Sequence, residues 1–425
     1  MDRRLDVLLS RTLLAAATAS ILAAAPVSAA DGPTLKYEPV LTGLENAWDM
    51  AFLPDGTMFF TEKCRGLSVR LPDGTVNALL GMKDSKGFAD TAADLFCEGQ
   101  AGMNGVTVDP DFATNRFVYV YSTSSLTSPG SNRVLRLKVN EGLSKVSDRS
   151  DIVTDIPYKP AATNHPFGGP GAHNGGRIRF NPGDGFLYVT TGDTHNGEVP
   201  QHPTRIGGKV LRIDRDGKAA PGNKPPEGFD ARIFTYGHRN PQGICFRPGT
   251  NQPFTIENGP WHSDEVTALV PGGNAGWDPR PNLSGRGDCP DDYCGYMPDQ
   301  MGAVDPKVRA AYMPMTDLAR FPDAMRPAWN NEGLSQGIAA GVFLRGPQWK
   351  GWDGHLLVAF MGIGIHGTPV GNRLDVLDIS ADGLSATRTT VNLPMPASRF
   401  RGVSQGPDGS LYVATDEGIS RLKPE

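Results

Sequence analysis

The feature that most constrains this chain is a turn that keeps returning ahead of a strand-like run. Pro54-Asp55-Gly56, Pro110-Asp111-Phe112, Pro182-Gly183-Asp184-Gly185, Pro248-Gly249-Thr250, Trp352-Asp353-Gly354 and Pro407-Asp408-Gly409 recur down the sequence. Most lead into short β-branched and aromatic segments, the clearest being Thr57 to Thr61, Phe117 to Tyr121, Val134 to Val139, Phe186 to Thr190, Leu356 to Phe360 and Leu411 to Thr415. Helical periodicity is scarce, and Gly, Pro, Asp and Asn bound each run, which is the pattern of strands joined by tight turns. The marks stand about 56, 72, 66, 105 and 54 residues apart. A four-stranded sheet with its turns needs roughly 40 to 45 residues, so each interval holds one sheet with longer loops. Six marks predict an all-β chain folded as a six-bladed β-propeller with four-stranded antiparallel blades. A β-sandwich leaves the recurring turn unexplained. The longest interval requires an insertion, expected at about residues 279–327 and loop-like from Pro279 to Pro314.

Composition agrees and removes several functions. The 425 residues include 52 Gly and 36 Pro, a turn-rich content. Lys and Arg number 41 against 46 Asp and Glu, a net charge of −5, which argues against nucleic acid or a polybasic membrane contact as the main partner. Arg3, Arg4 and Arg11, the apolar stretch Leu13 to Ala25 and then Pro26-Val27-Ser28-Ala29-Ala30 read as a secretory signal cleaved after residue 30. The mature chain, 31–425, is then expected to be one propeller domain, periplasmic or secreted, with no membrane span, because the apolar run is shorter than the roughly 20 residues a span needs. In an oxidising compartment cysteines pair: Cys64 with Cys97 and Cys289 with Cys294 are the expected bridges, and Cys245 between Ile244 and Phe246 is expected to be a core thiol. No CxxC pair with matching His spacing supports zinc. No Cys-x-x-Cys-His haem motif occurs either, so any electron acceptor, cytochrome or quinone, is a separate molecule.

Four polar clusters carry candidate chemistry. Gly169-Pro170-Gly171-Ala172-His173-Asn174-Gly175-Gly176-Arg177 stands directly before the strand Ile178 to Phe180, and its glycines let backbone approach a ligand around His173. Thr190-Thr191-Gly192-Asp193 ends the next strand, from which Asp193 can orient the His173 ring as a general base requires. Tyr236-Gly237-His238-Arg239-Asn240-Pro241-Gln242-Gly243 is followed by Glu257-Asn258-Gly259-Pro260-Trp261-His262-Ser263-Asp264-Glu265, where backbone carbonyls beside acids suit a hard cation such as Ca²⁺; a solvated loop is the plainer reading. Ser398-Arg399-Phe400-Arg401 puts two guanidinium groups on one face if it is a strand, and with Arg239 they would clamp several carboxylates. Together these ask for a polyanionic small molecule, a divalent cation and a base.

In this order the motifs resemble the soluble pyrroloquinoline quinone (PQQ)-dependent glucose/sorbosone dehydrogenases, or aldose sugar dehydrogenases. The resemblance runs from Leu44-Glu45-Asn46-Ala47-Trp48 to Asp416. It takes in Glu98-Gly99-Gln100-Ala101-Gly102-Met103-Asn104-Gly105, His173-Asn174-Gly175-Gly176-Arg177, Gly208-Lys209-Val210-Leu211-Arg212-Ile213-Asp214, the run 237–243, Asn258-Gly259-Pro260, Asp264-Glu265, Asn274-Ala275-Gly276-Trp277 and Arg399-Phe400-Arg401. It implies PQQ on top of the channel with Ca²⁺ bridging cofactor and protein. His173 would take the sugar hydroxyl proton, Asp193 would orient it, and Arg239 and Asn240 would sit by the quinone carbonyl. The carbonyls of Gly259 and Pro260 would hold Ca²⁺, and Gln100, Asn258, Asp264, Arg399 and Arg401 would line the cofactor site. The chain departs from the family pattern at Ala275, where Tyr is usual, at Arg401-Gly402, where Arg-Asp is usual, and in Met361-Gly362-Ile363-Gly364-Ile365-His366-Gly367. That segment lacks the Lys that family members often place on the cofactor, and His366 is either its replacement or a structural loop residue.

The reading is a periplasmic quinoprotein oxidising an aldose or a related alcohol or aldehyde. Two rivals remain at this stage: a metal-dependent lactonase-type hydrolase on the same scaffold, which would be indifferent to PQQ, and a non-catalytic propeller serving as a binding module.

Overall fold

The computed structural model describes residues 31–161, 169–279, 305–362 and 371–425. They form six sheets around a common axis, each laid down as an up-and-down meander. Blade one comprises Ala47–Phe52, Met58–Glu62, Gly66–Arg70 and Val76–Gly81, and blade two Met103–Val108, Phe117–Ser124, Ser131–Val139 and Val146–Ile156. Blade three runs through Gly175–Phe180, Leu187–Thr191, Lys209–Ile213 and Ile233–Tyr236, and adds the short parallel strand Gly273–Asn274 at its outer edge. Blade four is Pro241–Phe246, Pro253–Glu257, Glu265–Ala268 and Trp329–Asn330. Blade five is Ile338–Phe343, Leu356–Phe360, Leu374–Ile379 and Ala386–Thr390. The first strand of each blade lies innermost and touches its neighbours, and Gly402–Gln405 of blade six returns to Ala47–Phe52.

Blade six shows how the ring closes. Its inner strands Gly402–Gln405, Leu411–Ala414 and Gly418–Pro424 come from the end of the chain, and its outer strand, Leu35–Thr42, comes from the beginning. Pairing the two ends by backbone hydrogen bonds ties both down and leaves no gap in the circle.

The core lies between the blades. Phe59, Leu67 and Val69 of blade one pack on Met103, Val118 and Val120 of blade two, whereas Met50, Met58 and Phe60 pack the other way, on Ala414 and Ile419 of blade six. Leu356, Val358 and Phe360 face blade four and Leu357 and Ala359 face blade six. Successive side chains point to opposite faces of a strand, and here both faces are covered. The strands therefore read in sequence as unbroken apolar runs, without the apolar-polar alternation of a half-exposed sheet.

The six turns named above share one structural place, joining the first strand of each blade to the second, and Pro72-Asp73-Gly74 joins the third strand of blade one to the fourth. The turn Asp works as a local cap, as where Asp55 accepts the Thr57 amide at 2.9 Å and Asp184 that of Phe186 at 2.9 Å. Since the meanders all run outward from the axis, these turns share one end of the ring, and the loops entering first strands and leaving second strands share the other.

Cys64 and Cys97 form a disulfide, and Cys245 is a free buried thiol that burial makes harder to ionise. The long excursion leaves blade four after Glu265–Ala268 and returns as Trp329–Asn330. Its described part includes a helix, Pro306–Tyr312, capped by Asp305, which accepts the Lys307 amide at 2.8 Å. The expected signal segment, the Cys289–Cys294 bridge and His366 lie outside the described residues. None of the described helices is long and apolar enough to cross a membrane.

Candidate active site

The candidate site residues that the structure describes lie at the end of the ring opposite the turns that join first to second strands. His173 and Asn174 precede the first strand of blade three, and Asp193 follows its second strand. Two glycines allow these loops to touch. A Cβ on Gly192 would stand 1.9 Å from the His173 carbonyl, and Gly175, at φ +64°, would collide with Thr191. The loop is fixed from blade two, where the Tyr121 hydroxyl donates to the Asn174 carbonyl at 2.8 Å and Asn132 to its side chain at 3.0 Å. Asn240 accepts the Gly175 amide at 3.1 Å.

Asp193 is fully buried and organises the centre. Its Oδ1 lies 2.7 Å from His173 Nδ1 and accepts the His195 amide at 2.9 Å, while Oδ2 accepts Trp277 Nε1 at 2.9 Å. A carboxylate that accepts a hydrogen bond from Nδ1–H leaves the lone pair of His173 on Nε2, the tautomer a general base uses. His173 Nε2 in turn lies 2.6 Å from His195 Nε2, with the two rings edge to face. Nearby, burial pulls Lys209 down to about 7 against the pull of Asp193. Its ammonium donates to the carbonyls of Val199, Pro200 and Gly207 at 2.7 to 2.9 Å, which pins the loop that carries His195.

The 237–240 loop closes one side. The Arg239 carbonyl accepts the Asp193 amide at 2.8 Å, and the Arg239 guanidinium donates to the Asn258 carbonyl at 3.0 Å and lies 5.8 Å from the Trp277 ring. Glu257 holds this loop: it accepts the backbone amides of Arg239 and Asn240 and lies 2.8 Å from His238 Nδ1. Its role is structural, since its oxygens face backbone and a buried imidazole.

Asn258 donates to the Ile338 carbonyl at 2.6 Å and begins a tight turn in which Trp261 and Ser263 take left-handed φ of +68° and +50°. Within it the Gly259 carbonyl accepts the Trp261 amide at 3.0 Å, and Pro260 is buried. Asp264 shapes this turn. One oxygen accepts the Gly259 amide at 3.0 Å and the Ser335 hydroxyl at 2.5 Å; the other accepts the Gln336 amide at 2.6 Å and Asn331 at 3.2 Å. Burial pushes Asp264 above the usual carboxylate range. Its oxygens thus tie the 258–264 turn to the neighbouring loops.

Arg399 and Arg401 precede the blade-six strand, so strand alternation is not what aligns them; a shared acid does. Asp416 lies 3.3 Å from Arg399 Nε and 3.9 Å from Arg401. Arg401 Nε is buried with no hydrogen-bond partner among the described residues. Buried Arg177 supports it from below, donating to the Arg401 carbonyl at 3.0 Å, pairing with Asp49 at 2.5 Å and stacking 4.1 Å over Trp48. Lys63 adds a third cation: its ammonium donates to the Gly99 carbonyl at 2.6 Å and feels both Arg401 and Asp416. Gln100, exposed beside it, is anchored by its amide on the Pro170 carbonyl at 3.1 Å.

His173, Asp193, Arg239, Asn240 and Asn258 are thus linked by direct contacts. Gly259, Pro260 and Asp264 continue from Asn258, while Arg399, Arg401 and Gln100 stand in the loops of the facing blades. His195, Lys63 and the Trp277 contact to Asp193 were not read from the sequence. A second His two residues past Asp193, in a turn, was the one available signal for the first.

Residues 44–423 match the family model described as Glucose / Sorbosone dehydrogenase. The chain is 27% identical over 394 residues to the aldose sugar dehydrogenase YliI of Escherichia coli (strain K12), covering 92% of each. It is 25% identical over 437 residues to quinoprotein glucose dehydrogenase B of Acinetobacter calcoaceticus, covering 89% of this chain and 84% of that one. In three dimensions it is similar to the PQQ-bound aldose sugar dehydrogenase of Streptomyces coelicolor, with a TM-score of 0.65 at 23% identity, covering 93% and 99% of the two chains.

Proposed function

The chain belongs to the glucose/sorbosone dehydrogenase family, and from that premise we propose that it is an exported quinoprotein. In this reading it oxidises an aldose, or a related alcohol or aldehyde, with PQQ and Ca²⁺, and passes electrons to a separate cytochrome or quinone. The observation that carries the proposal is the contact of His173 Nδ1 with a buried carboxylate, which leaves Nε2 as the basic atom.

The residues suit the cofactor. Lys63, Arg399 and Arg401 surround a single acid, Asp416, and Arg401 keeps a buried N–H without an acceptor among the described residues. Three cations around one carboxylate favour a ligand that brings several more. Among the described residues no three His, Cys, Asp or Glu side chains gather around a metal position, so a hard cation would rest on the carbonyls of Gly259 and Pro260 and on the cofactor itself. When bound, PQQ supplies a quinone carbonyl that accepts two electrons, and Ca²⁺ draws charge from it. Arg239 and Asn240 orient that end of the site, Arg399, Arg401, Gln100 and Asn258 line the rest, and Asp264 keeps the 258–264 turn in shape. His173 withdraws the substrate hydroxyl proton at Nε2, and Asp193 stabilises the imidazolium that results.

The test is reconstitution of the mature protein with PQQ and Ca²⁺, followed by dye reduction across aldoses, aldehydes and polyols. Saturable activity that requires PQQ, disappears with a chelator, returns with Ca²⁺ and is lost in His173→Ala supports the proposal. Hydrolysis of lactones with indifference to PQQ replaces it with the hydrolase reading, and PQQ binding without turnover leaves a binding module. Export predicts a mature N-terminus after Ala30, measurable by mass.

A further inference from the structure

The helix of the long excursion is inside out. Along Pro306–Tyr312, Val308 is 56% exposed whereas Arg309 is 2% exposed. Other buried guanidinium groups have counter-ions or acceptors: Arg177 pairs with Asp49, Arg133 with Asp151 and Arg212 with Asp184, and Arg239 donates to the Asn258 carbonyl. Arg309 has neither a carboxylate nor a hydrogen-bond acceptor among the described residues, and its Nη1 is sealed from solvent. The acids of the adjoining blade are engaged elsewhere: Glu257 holds the backbone of Arg239 and Asn240, Asp264 the 258–264 turn, and Glu265 the Thr316 hydroxyl. A buried cation without a partner is among the least favourable groups a fold can carry, and it persists where a ligand supplies the missing charge.

Its neighbours place Arg309 at the reacting end of the site. The Arg309 carbonyl accepts the Met313 amide at 2.8 Å, and Met313 and Met315 pack on the buried Trp277. Trp277 in turn donates to Asp193 through Nε1, and its ring lies 5.8 Å from the Arg239 guanidinium. The buried His262 imidazole feels both Arg239 and Arg309, so the two cations share one neighbourhood. Lys63, Arg399 and Arg401 gather on Asp416 from the loops of blades one and six. Resting on the dehydrogenase reading above, we propose that Arg309 is a specificity residue that receives the carboxylate of an acidic sugar, so that the substrate is an anionic aldose of the hexuronic acid class. A planar guanidinium meets a carboxylate with two parallel N–H···O bonds. The cations around Asp416 serve the carboxylates of the cofactor, so an anion on the Arg239 side belongs to the molecule oxidised there. A neutral sugar leaves Arg309 unpaired, and a site that must keep a polar group unpaired discriminates against that ligand.

D-Glucuronate and D-glucose are the matched probes, because they differ only in the group at the end of the chain, a carboxylate against a hydroxymethyl. In the reconstituted protein the parent is expected to favour glucuronate at least about tenfold in kcat/KM, and Arg309→Met to bring that ratio to about one. A companion measurement needs no cofactor: glucuronate should raise the thermal midpoint of the parent, glucose should not, and Arg309→Met should abolish the rise. Without ligand, the midpoint of Arg309→Met is expected to match or exceed the parent's, since the charge it removes has no partner to lose. A markedly lower midpoint overturns the proposal and makes Arg309 structural. A ratio near one in the parent, or one that Arg309→Met leaves unchanged, overturns it while the dehydrogenase reading stands. Weaker PQQ binding by Arg309→Met at an unchanged ratio also overturns it and gives the residue to the cofactor. An Arg309-dependent midpoint shift in a protein that oxidises neither sugar supports the acidic-sugar site and overturns the dehydrogenase reading.

Discussion

Replacing Asp193 by Asn perturbs the site at its most connected point, and the structure sets the expected size. The carboxylate meets His173 Nδ1 at 2.7 Å, the His195 amide at 2.9 Å and Trp277 Nε1 at 2.9 Å, all in a buried setting. Asparagine keeps one oxygen and loses the charge. A hydrogen bond to a charged group is worth about 1.5–3 kcal/mol. Loss of that amount from the transition state alone lowers the rate by about tenfold to 150-fold. A second effect adds to it: the new amide N–H donates to Nδ1, so the ring proton moves to Nε2 and the base loses its lone pair. Together they predict a fall in kcat of at least about a hundredfold. KM should change little, because Asp193 is fully buried and its oxygens face His173, the His195 amide and Trp277. Steady-state dye reduction by the reconstituted D193N protein measures this. A kcat within about threefold of the parent, in a variant shown to be folded, would refute the argument that Asp193 sets the tautomer of His173.

Other consequences follow from the same contacts. Leu357→Ala, in the fully buried strand between blades five and six, is expected to cost about 2–5 kcal/mol in chemical denaturation, and a loss under 1 kcal/mol would contradict the inter-blade core. Reducing Cys64–Cys97, which closes a loop with a sequence separation of 33, should remove about 3–4 kcal/mol on the chain-entropy account, read as a drop in the denaturant midpoint. Glu265 is fully buried beside Glu257 and Asp264, with the Thr316 hydroxyl as donor at 2.8 Å, and burial raises it well above the ordinary carboxylate range. The folded state therefore binds its proton more tightly than the unfolded chain, and the stability Glu265 contributes while protonated is lost as pH rises through its raised midpoint. Glu265→Gln should flatten that fall, measured as unfolding midpoints followed upward in pH from the ordinary carboxylate range.

Much of the fold was legible because one device repeats. A turn of this kind sits between the first two strands of every blade, and the spacing of the six, each wide enough for one four-stranded sheet, gives the blade number, although Pro72-Asp73-Gly74 shows that the same turn also joins the third and fourth strands of blade one. Closure of the ring by Leu35–Thr42 on Gly418–Pro424 was not legible. That pairing joins residues from opposite ends of the chain and leaves no local mark. The parallel addition of Gly273–Asn274 to blade three escaped for the same reason.

At the site, His173, Asp193 and Arg239 were visible as polar residues flanked by glycine, because close loop contacts demand missing side chains, as at Gly192. Arg399 and Arg401 were found for a reason the structure corrects. They gather on Asp416 from an irregular segment ahead of the strand, so the period of two has no part in it. The resemblance put Asp264 in the cofactor lining, and in the structure its oxygens accept from Gly259, Ser335, Gln336 and Asn331. Composition cannot distinguish an acid that binds a cofactor from one that shapes the loop beside it. His195 was missed because nothing in a turn sequence reveals which way a second imidazole points.

The central claim is that this propeller carries a quinone at the His173 end of the ring and reduces it with a sugar. The most direct measurement is an anaerobic spectral titration: saturate the mature protein with PQQ and Ca²⁺, then add an aldose and follow the cofactor spectrum in the parent and in His173→Ala. The account predicts stoichiometric PQQ binding by both proteins and rapid reduction in the parent alone. Failure of the parent to bind PQQ, or equal reduction rates in the two proteins, would contradict it.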